Sequence, residues 1–117
     1  MNIEEFRNFC LNLKAVTEDF PFGPETLVFK VGGKIFALCS LDSFYFKVNL
    51  KHDTENIVDL REEYEEIEPG YHMNKYHWNT VNFNGKLSDD FLKELILHSY
   101  QQVIKGLTKK KRNELSL

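Results

Sequence analysis

The sequence is poor in the residues that mark special-purpose chains. Its 117 residues hold two cysteines, Cys10 and Cys39, too few for a disulfide framework. Each lies among apolar neighbours (Phe9-Cys10-Leu11 and Ala37-Leu38-Cys39), so both are expected as small buried thiols. Six glycines and three prolines exclude collagen-like or linker-like character. No apolar run approaches the roughly 20 residues of a membrane-spanning helix. Met1-Asn2-Ile3-Glu4-Glu5 carries neither a basic nor an apolar signal region, and the expected compartment is the cytoplasm. There is no excess of positive charge: 15 basic against 18 acidic side chains leave −3, without the basic footprint of most dedicated DNA binders. Catalytic signatures are missing too. The chain has no Gly-x-Ser-x-Gly elbow, no phosphate-loop glycine motif and no Cys/His pair at a diagnostic spacing. Neither enzymatic activity nor a cofactor is expected.

What is present is apolar and aromatic. Hydrophobic residues make up 42% and aromatic rings 14%, enough area to offset the entropy of ordering one compact domain. Ile3, Phe6, Phe9/Cys10 and Leu13 recur at helical spacing, with Asn2 and Glu5 placed as a capping box. This predicts a helix running to Ala15-Val16. Phe20-Pro21-Phe22-Gly23-Pro24 then breaks regular structure. Leu27 to Val31, the Gly32-Gly33 turn and Lys34 to Cys39 read as a hairpin. A third strand follows, with Phe44, Phe46, Val48 and Leu50 on its buried face. Asp53 to Tyr64 reads as a helix with Asp53 at its N-cap. Trp78 to Phe83 reads as a strand ended by Asn84-Gly85. Ser88 caps a last helix whose apolar stripe is Leu92, Leu95/Ile96, Ser99 and Val103. The expected fold class is α+β: a two-layer sandwich with a largely antiparallel sheet, ordered helix, three strands, helix, one or two strands, helix. The domain spans residues 1–108, and residues 109–117 form a basic, frayed tail.

The charge is unevenly spread. Asp53 to Glu68 carries eight acids and one base, Arg61, or −7. The rest of the chain is therefore +4, and its outward lysines are the natural phosphate contacts. Lys30 and Lys34 flank the Gly-Gly turn, Lys47 lies beside Tyr45 on the third strand, and Lys75 follows Pro69-Gly70. Phosphate binding needs only charge and reach, provided the acidic segment points away. Lysines on exposed strands equally serve to block edge-to-edge pairing.

The densest polar and aromatic stretch is Pro69-Gly70-Tyr71-His72-Met73-Asn74-Lys75-Tyr76-His77-Trp78-Asn79-Thr80. His72 and His77 are five apart, matching neither a helical pair nor a strand step, so no metal site is expected. Lys75 with His72, Asn74, His77 and Asn79 supplies donors for an anion, and Tyr71, Tyr76 and Trp78 supply faces for stacking.

Several of these segments, taken in order, resemble the MmcQ/YjbR family. They are Phe20-Pro21-Phe22-Gly23-Pro24, Phe29 to Ala37, Leu60-Arg61-Glu62-Glu63-Tyr64, Pro69 to Val81, and Leu95-Ile96 with Ser99-Tyr100. The resemblance spans nearly the whole chain. It implies an α+β domain similar to frataxin-like and secretion-chaperone-like folds, and DNA binding through a double-wing motif. The family motif falls on Tyr71, His72, Asn74, Lys75, His77, Trp78 and Asn79, with Tyr76 standing where a second basic residue is expected. Three functions are open at this point. One is binding of double-stranded DNA through Lys30, Lys34, Lys47 and Lys75. Another is a protein-interaction module. The last is a small anionic-ligand site in the Tyr71–Thr80 segment.

Overall fold

A computed structural model describes all residues, 1–117. Six strands form one sheet: β1 (Val16–Asp19), β2 (Thr26–Val31), β3 (Lys34–Ser40), β4 (Lys47–Lys51), β5 (Ile67–Pro69) and β6 (Trp78–Asn82). Their spatial order is β1-β2-β3-β4-β6-β5, and every neighbouring pair is antiparallel. Helices α1 (Ile3–Leu11), α2 (Ile57–Glu63) and α3 (Asp89–Lys105) pack on one face, giving the expected two-layer α+β sandwich. No helix is long and apolar enough to cross a membrane.

Alternation along the strands divides the two faces. Leu27, Phe29 and Val31 of β2 point into the core, as do Val48 and Leu50 of β4 and Val81 of β6. Beneath α1, the Phe6 ring meets Phe29, Phe46 and Phe83 edge-on at 5.3, 5.6 and 5.5 Å. A fully buried phenylalanine contributes about 2–3 kcal/mol by area, so this cluster anchors α1. Leu92, Ile96, Tyr100 and Val103 of α3 cover the sheet's centre. The register shifts between Phe29 and Lys30, opposite Ala37 and Ile35. The extra residue, Phe36, joins Ala37 in the core, as a bulge permits. Cys10 and Cys39 are buried free thiols. Burial pushes Cys39 up to about 12 and raises Cys10 as well.

Local signals act as the sequence predicts at several ends. Asn2 and Glu5 form the capping box. Gly32 and Gly33 adopt φ of +61 and +79°, the primed-turn conformation only glycine enters freely. Ser88 Oγ accepts from the Phe91 N–H.

Other boundaries move. The first helix ends at Leu11, not at Ala15-Val16; Ala15 turns left-handed, φ +63°, and Val16–Asp19 pairs with β2 as an edge strand. β-Branched Val16 and Thr17 suit that pairing, and a waiting strand edge outweighs helical periodicity. The strand expected from Phe44 begins at Lys47. Ser43 Oγ takes the Tyr45 N–H, and Ser40 Oγ donates to Asp42 Oδ1, local bonds that compete with the ladder. Phe44 therefore stands 90% exposed, not buried. α2 begins at Ile57, because Asp53 Oδ1 instead closes a preceding turn on the Asn56 N–H at 2.9 Å. The acidic segment is thus part turn, part helix and part strand β5 rather than one helix. Residues 109–117 are not frayed: Thr108 caps α4 (Lys109–Glu114), and Leu117 packs against the core.

Candidate functional site

The sheet face opposite α1, α2 and α3 carries polar side chains around buried Val28, Leu38 and Thr80. Paired residues share a face, so the register assigns its occupants: Asp19 beside Val28, Lys30 beside Ile35, Asn49 beside Leu38 and Thr80, and Glu68 beside Thr80. Where β4, β5 and β6 meet, a groove of about 410 Å³ opens. Tyr45 and Tyr71 stand at it, 56% and 70% exposed. Lys47, Asn49, Glu68 and Thr80 line it, with Ser40 and Ser43 at one end. Thr80 Oγ1 donates to Asn49 Oδ1 at 2.5 Å and accepts the Tyr71 N–H at 2.9 Å. That chain fixes the loop carrying Tyr71 onto two strands. It also orients the Asn49 amide, whose N–H groups have no protein acceptor. Lys47 Nζ lies 3.9 Å from Glu68 and 5.7 Å from the Tyr45 ring centroid.

The loop is held from the other side by Arg61 of α2. Its Nε donates to Asn79 Oδ1 at 2.6 Å, and its Nη2 donates to the carbonyls of Lys75 and Trp78. Burial lowers the Arg61 guanidinium from its ordinary value. Asn79 Nδ2 donates in turn to the Ile57 carbonyl. Gly70 sits where any Cβ would come within 2.8 Å of Trp78 Cβ and 2.9 Å of its carbonyl oxygen.

These contacts sort the residues expected to bind a ligand. Asn79 is buried and fully engaged inside the fold, so it is a structural residue and not a free donor. Asn74 shapes its own loop: its Oδ1 takes the Tyr76 N–H, and its carbonyl takes those of His77 and Trp78. Lys75 Nζ donates to the Gly70 carbonyl at 3.2 Å. Trp78 is half-buried on the open face, paired with Lys51. His72 is exposed at φ +59°, its ring 4.0 Å from that of Tyr71. His77 lines a different cleft. Only Tyr71 of the set lines the groove, where it meets Tyr45, Lys47 and Asn49.

The four lysines expected to contact phosphate do not form one line. Lys30 and Lys47 share the open face, but Lys34 pairs with Val31 and so lies on the opposite side. Lys30 bonds Asp19 at 3.2 Å. The acidic segment is not turned away either, because Glu68 brings a carboxylate onto the open face.

A second cluster escapes sequence reasoning. His52 and Asp53 follow β4 directly, and His98 lies on α3. Asp53 Oδ2 is 3.0 Å from His98 Nε2 and 3.4 Å from His52 Nε2. The imidazoles lie 4.1 Å apart, centroid to centroid. Burial, with the adjacent His98, pushes His52 down to about 4. Burial opposes the Asp53 charge, yet the Asn56 N–H and the two histidines hold its carboxyl below the ordinary range. All three side chains are half-buried, and His52 and Asp53 line a polar cleft of about 520 Å³ that His77 also lines. No spacing rule connects position 52 with position 98; only the packing of α3 on β4 brings them together.

Known proteins share this architecture and sequence. The YjbR family model matches residues 11–102. The uncharacterised protein YbdF of Escherichia coli O157:H7 is 41% identical over 107 residues, covering 92% of this chain and 88% of that protein. The uncharacterised protein YjbR of E. coli K12 is 30% identical over 115 residues, 98% of each chain. The crystal structure of Deinococcus radiodurans protein DR2400 superposes with a TM-score of 0.92 at 40% identity, covering 99% of this chain and 88% of that one. A Pseudomonas syringae protein, structural-genomics target PsR293, gives a TM-score of 0.77 at 30% identity, covering 87% and 98%. With sequence, family model and fold in agreement, this chain belongs to the YjbR family.

Proposed function

We propose that this protein is a non-catalytic binding domain. Its site is the open-face groove between Tyr45 and Tyr71, and its ligand is a small anion bearing a flat ring. The carrying observation is the meeting, in one groove of about 410 Å³, of two exposed tyrosines with the Lys47 ammonium and the Asn49 amide. The volume falls in the usual range for small-ligand sites, roughly 300–1,000 Å³. A planar ring stacks on a tyrosine face, and an anionic group replaces Glu68 as the partner of Lys47. The donors sit on strands, and the loop bearing Tyr71 is tied to Thr80, so little ordering cost falls on binding.

Isothermal titration of nucleoside monophosphates against the matching neutral nucleosides tests this reading. The anions bind more tightly, and Lys47→Ala and Tyr71→Ala each weaken them by about tenfold, or ~1.4 kcal/mol. Equal binding of the neutral nucleosides, or unchanged affinity in both variants, contradicts it.

Duplex DNA is the second reading, favoured by Lys30 and Lys47 sharing the open face. It requires affinity that falls steeply with salt as counterions are released. Binding indifferent to salt contradicts it.

A further inference from the structure

From the convergence of His52, Asp53 and His98, we infer a binding site for a first-row divalent transition metal, held by two imidazole nitrogens and one carboxylate oxygen. The site is separate from the tyrosine groove and independent of that reading. The potential ligand atoms all lie within 4.8 Å of one another. Asp53 Oδ2 stands 3.0 and 3.4 Å from the two Nε2 atoms. Metal–nitrogen and metal–oxygen bonds of about 2.0–2.1 Å place ligand atoms roughly 2.8–3.4 Å apart across cis-octahedral and tetrahedral sites. The two edges from Asp53 fall in that span.

Hydrogen bonding alone satisfies this cluster poorly. His98 Nε2 lies 3.2 Å from the Asp53 N–H and 3.0 Å from Asp53 Oδ2. One ring nitrogen either accepts or donates, not both. If it accepts the N–H, Oδ2 stands 3.0 Å from a nitrogen with no proton to give; if it donates to Oδ2, the Asp53 N–H loses its acceptor. A metal ion would take the single Nε2 lone pair in place of the 3.2 Å bond from the Asp53 N–H and would bond the neighbouring Oδ2 as a second ligand.

The scaffold holds the ligands from behind. Ser99, next to His98, accepts the Lys51 N–H at 2.8 Å and donates to the Phe36 carbonyl at 2.5 Å. This locks the end of β4 to the turn of α3 that carries His98. The His52 N–H is fixed on the His77 carbonyl at 2.9 Å. Such supporting bonds keep metal ligands preorganised. Two histidines and a carboxylate suit Zn²⁺, Co²⁺ or Ni²⁺ rather than Mg²⁺ or Ca²⁺, which prefer oxygen. Three protein ligands leave an open position toward the polar cleft, where water or a small anion completes the shell.

The test uses untagged protein stripped with a chelator and titrated with Zn²⁺, then with Co²⁺ followed by visible absorption. One equivalent binds, and Mg²⁺ at millimolar concentration does not compete. His52→Gln and His98→Gln each weaken binding at least tenfold, while His72→Gln, on the exposed loop, leaves it unchanged. The Co²⁺ spectrum of the wild-type protein reports nitrogen and oxygen ligation whether or not a variant folds. Absence of Zn²⁺ and Co²⁺ binding at millimolar metal overturns the inference. So does binding that survives in a folded His52→Gln/His98→Gln double variant.

Discussion

Arg61 Nε donates to Asn79 Oδ1 at 2.6 Å, and through this bond helix α2 holds the last strand and its preceding loop. The two residues belong to separate segments of the family resemblance, yet they form one device. Neither needs a ligand to explain its presence, because Arg61 also takes up the Lys75 and Trp78 carbonyls.

Removing that guanidinium leaves a buried amide oxygen and the Lys75 carbonyl short of donors, while the Trp78 carbonyl keeps the Gly70 N–H. Arg61→Ala is expected to cost about 2–3 kcal/mol in urea unfolding, in line with hydrogen bonds to charged groups. Arg61→Lys recovers only part of it, since a lysine lacks the planar fork. Amide exchange in the 70–78 loop should accelerate in both. An unchanged unfolding midpoint in Arg61→Ala contradicts this role.

Ser99 is the single buried hydroxyl joining α3 to two strands. Ser99→Ala orphans the Lys51 N–H and the Phe36 carbonyl. A loss of about 1–3 kcal/mol follows from leaving them unpaired, measurable by the same unfolding curves. Ser99→Cys, which keeps a weak donor, should fall between the two.

The hairpin glycines differ in their surroundings. A Cβ on Gly33 meets nothing within 4 Å, whereas one on Gly32 meets Leu107 Cδ1 at 2.7 Å. Gly33→Ala should therefore cost only the left-handed backbone penalty, about 1–2 kcal/mol. Gly32→Ala should cost more, because buried Leu107 has to shift. Thermal unfolding of the two variants ranks them, and the reverse order contradicts the packing account.

Acid stability has a local contributor at the sheet edge. Arg7 bonds Glu18 through Nε and Nη2 at 2.7 and 2.5 Å, tying α1 to β1. That hydrogen bond, with the guanidinium charge, outweighs desolvation and holds Glu18 below the ordinary glutamate value. The unfolded chain then binds the proton more readily. The pair's contribution is present above the ordinary glutamate range and disappears as pH falls through the lowered value. Glu18→Gln should flatten the acid limb of a stability–pH curve, and an unaltered limb contradicts the pairing.

The elements whose signals are local were legible in the sequence. Asn2 with Glu5, Gly32-Gly33, and Ser88 before an apolar stripe each specify their own structure within a few residues. Val16–Asp19 was not legible as a strand, because its partner, Val28 to Val31, makes it one. Phe44 alternates with Phe46 in sequence, but short-range bonds of Ser40 and Ser43 end the strand before it. At the candidate site, Tyr71 and Lys47 were found from their types and exposure. Asn79 looked like a free donor only because its partner, Arg61, lies 18 residues away. Glu68 on the open face and His98 beside His52 depend on sheet register and helix packing, which no spacing rule encodes.

The central claim is that the groove between Tyr45 and Tyr71 is a binding site. Amide NMR of ¹⁵N-labelled protein titrated with a nucleoside monophosphate tests it most directly. The account predicts saturable shifts concentrated at Lys47, Asn49, Tyr71 and Thr80, with the midpoint moved to about tenfold higher ligand in Lys47→Ala. No shifts at millimolar ligand, or shifts confined to the Gly32–Gly33 hairpin, contradict it.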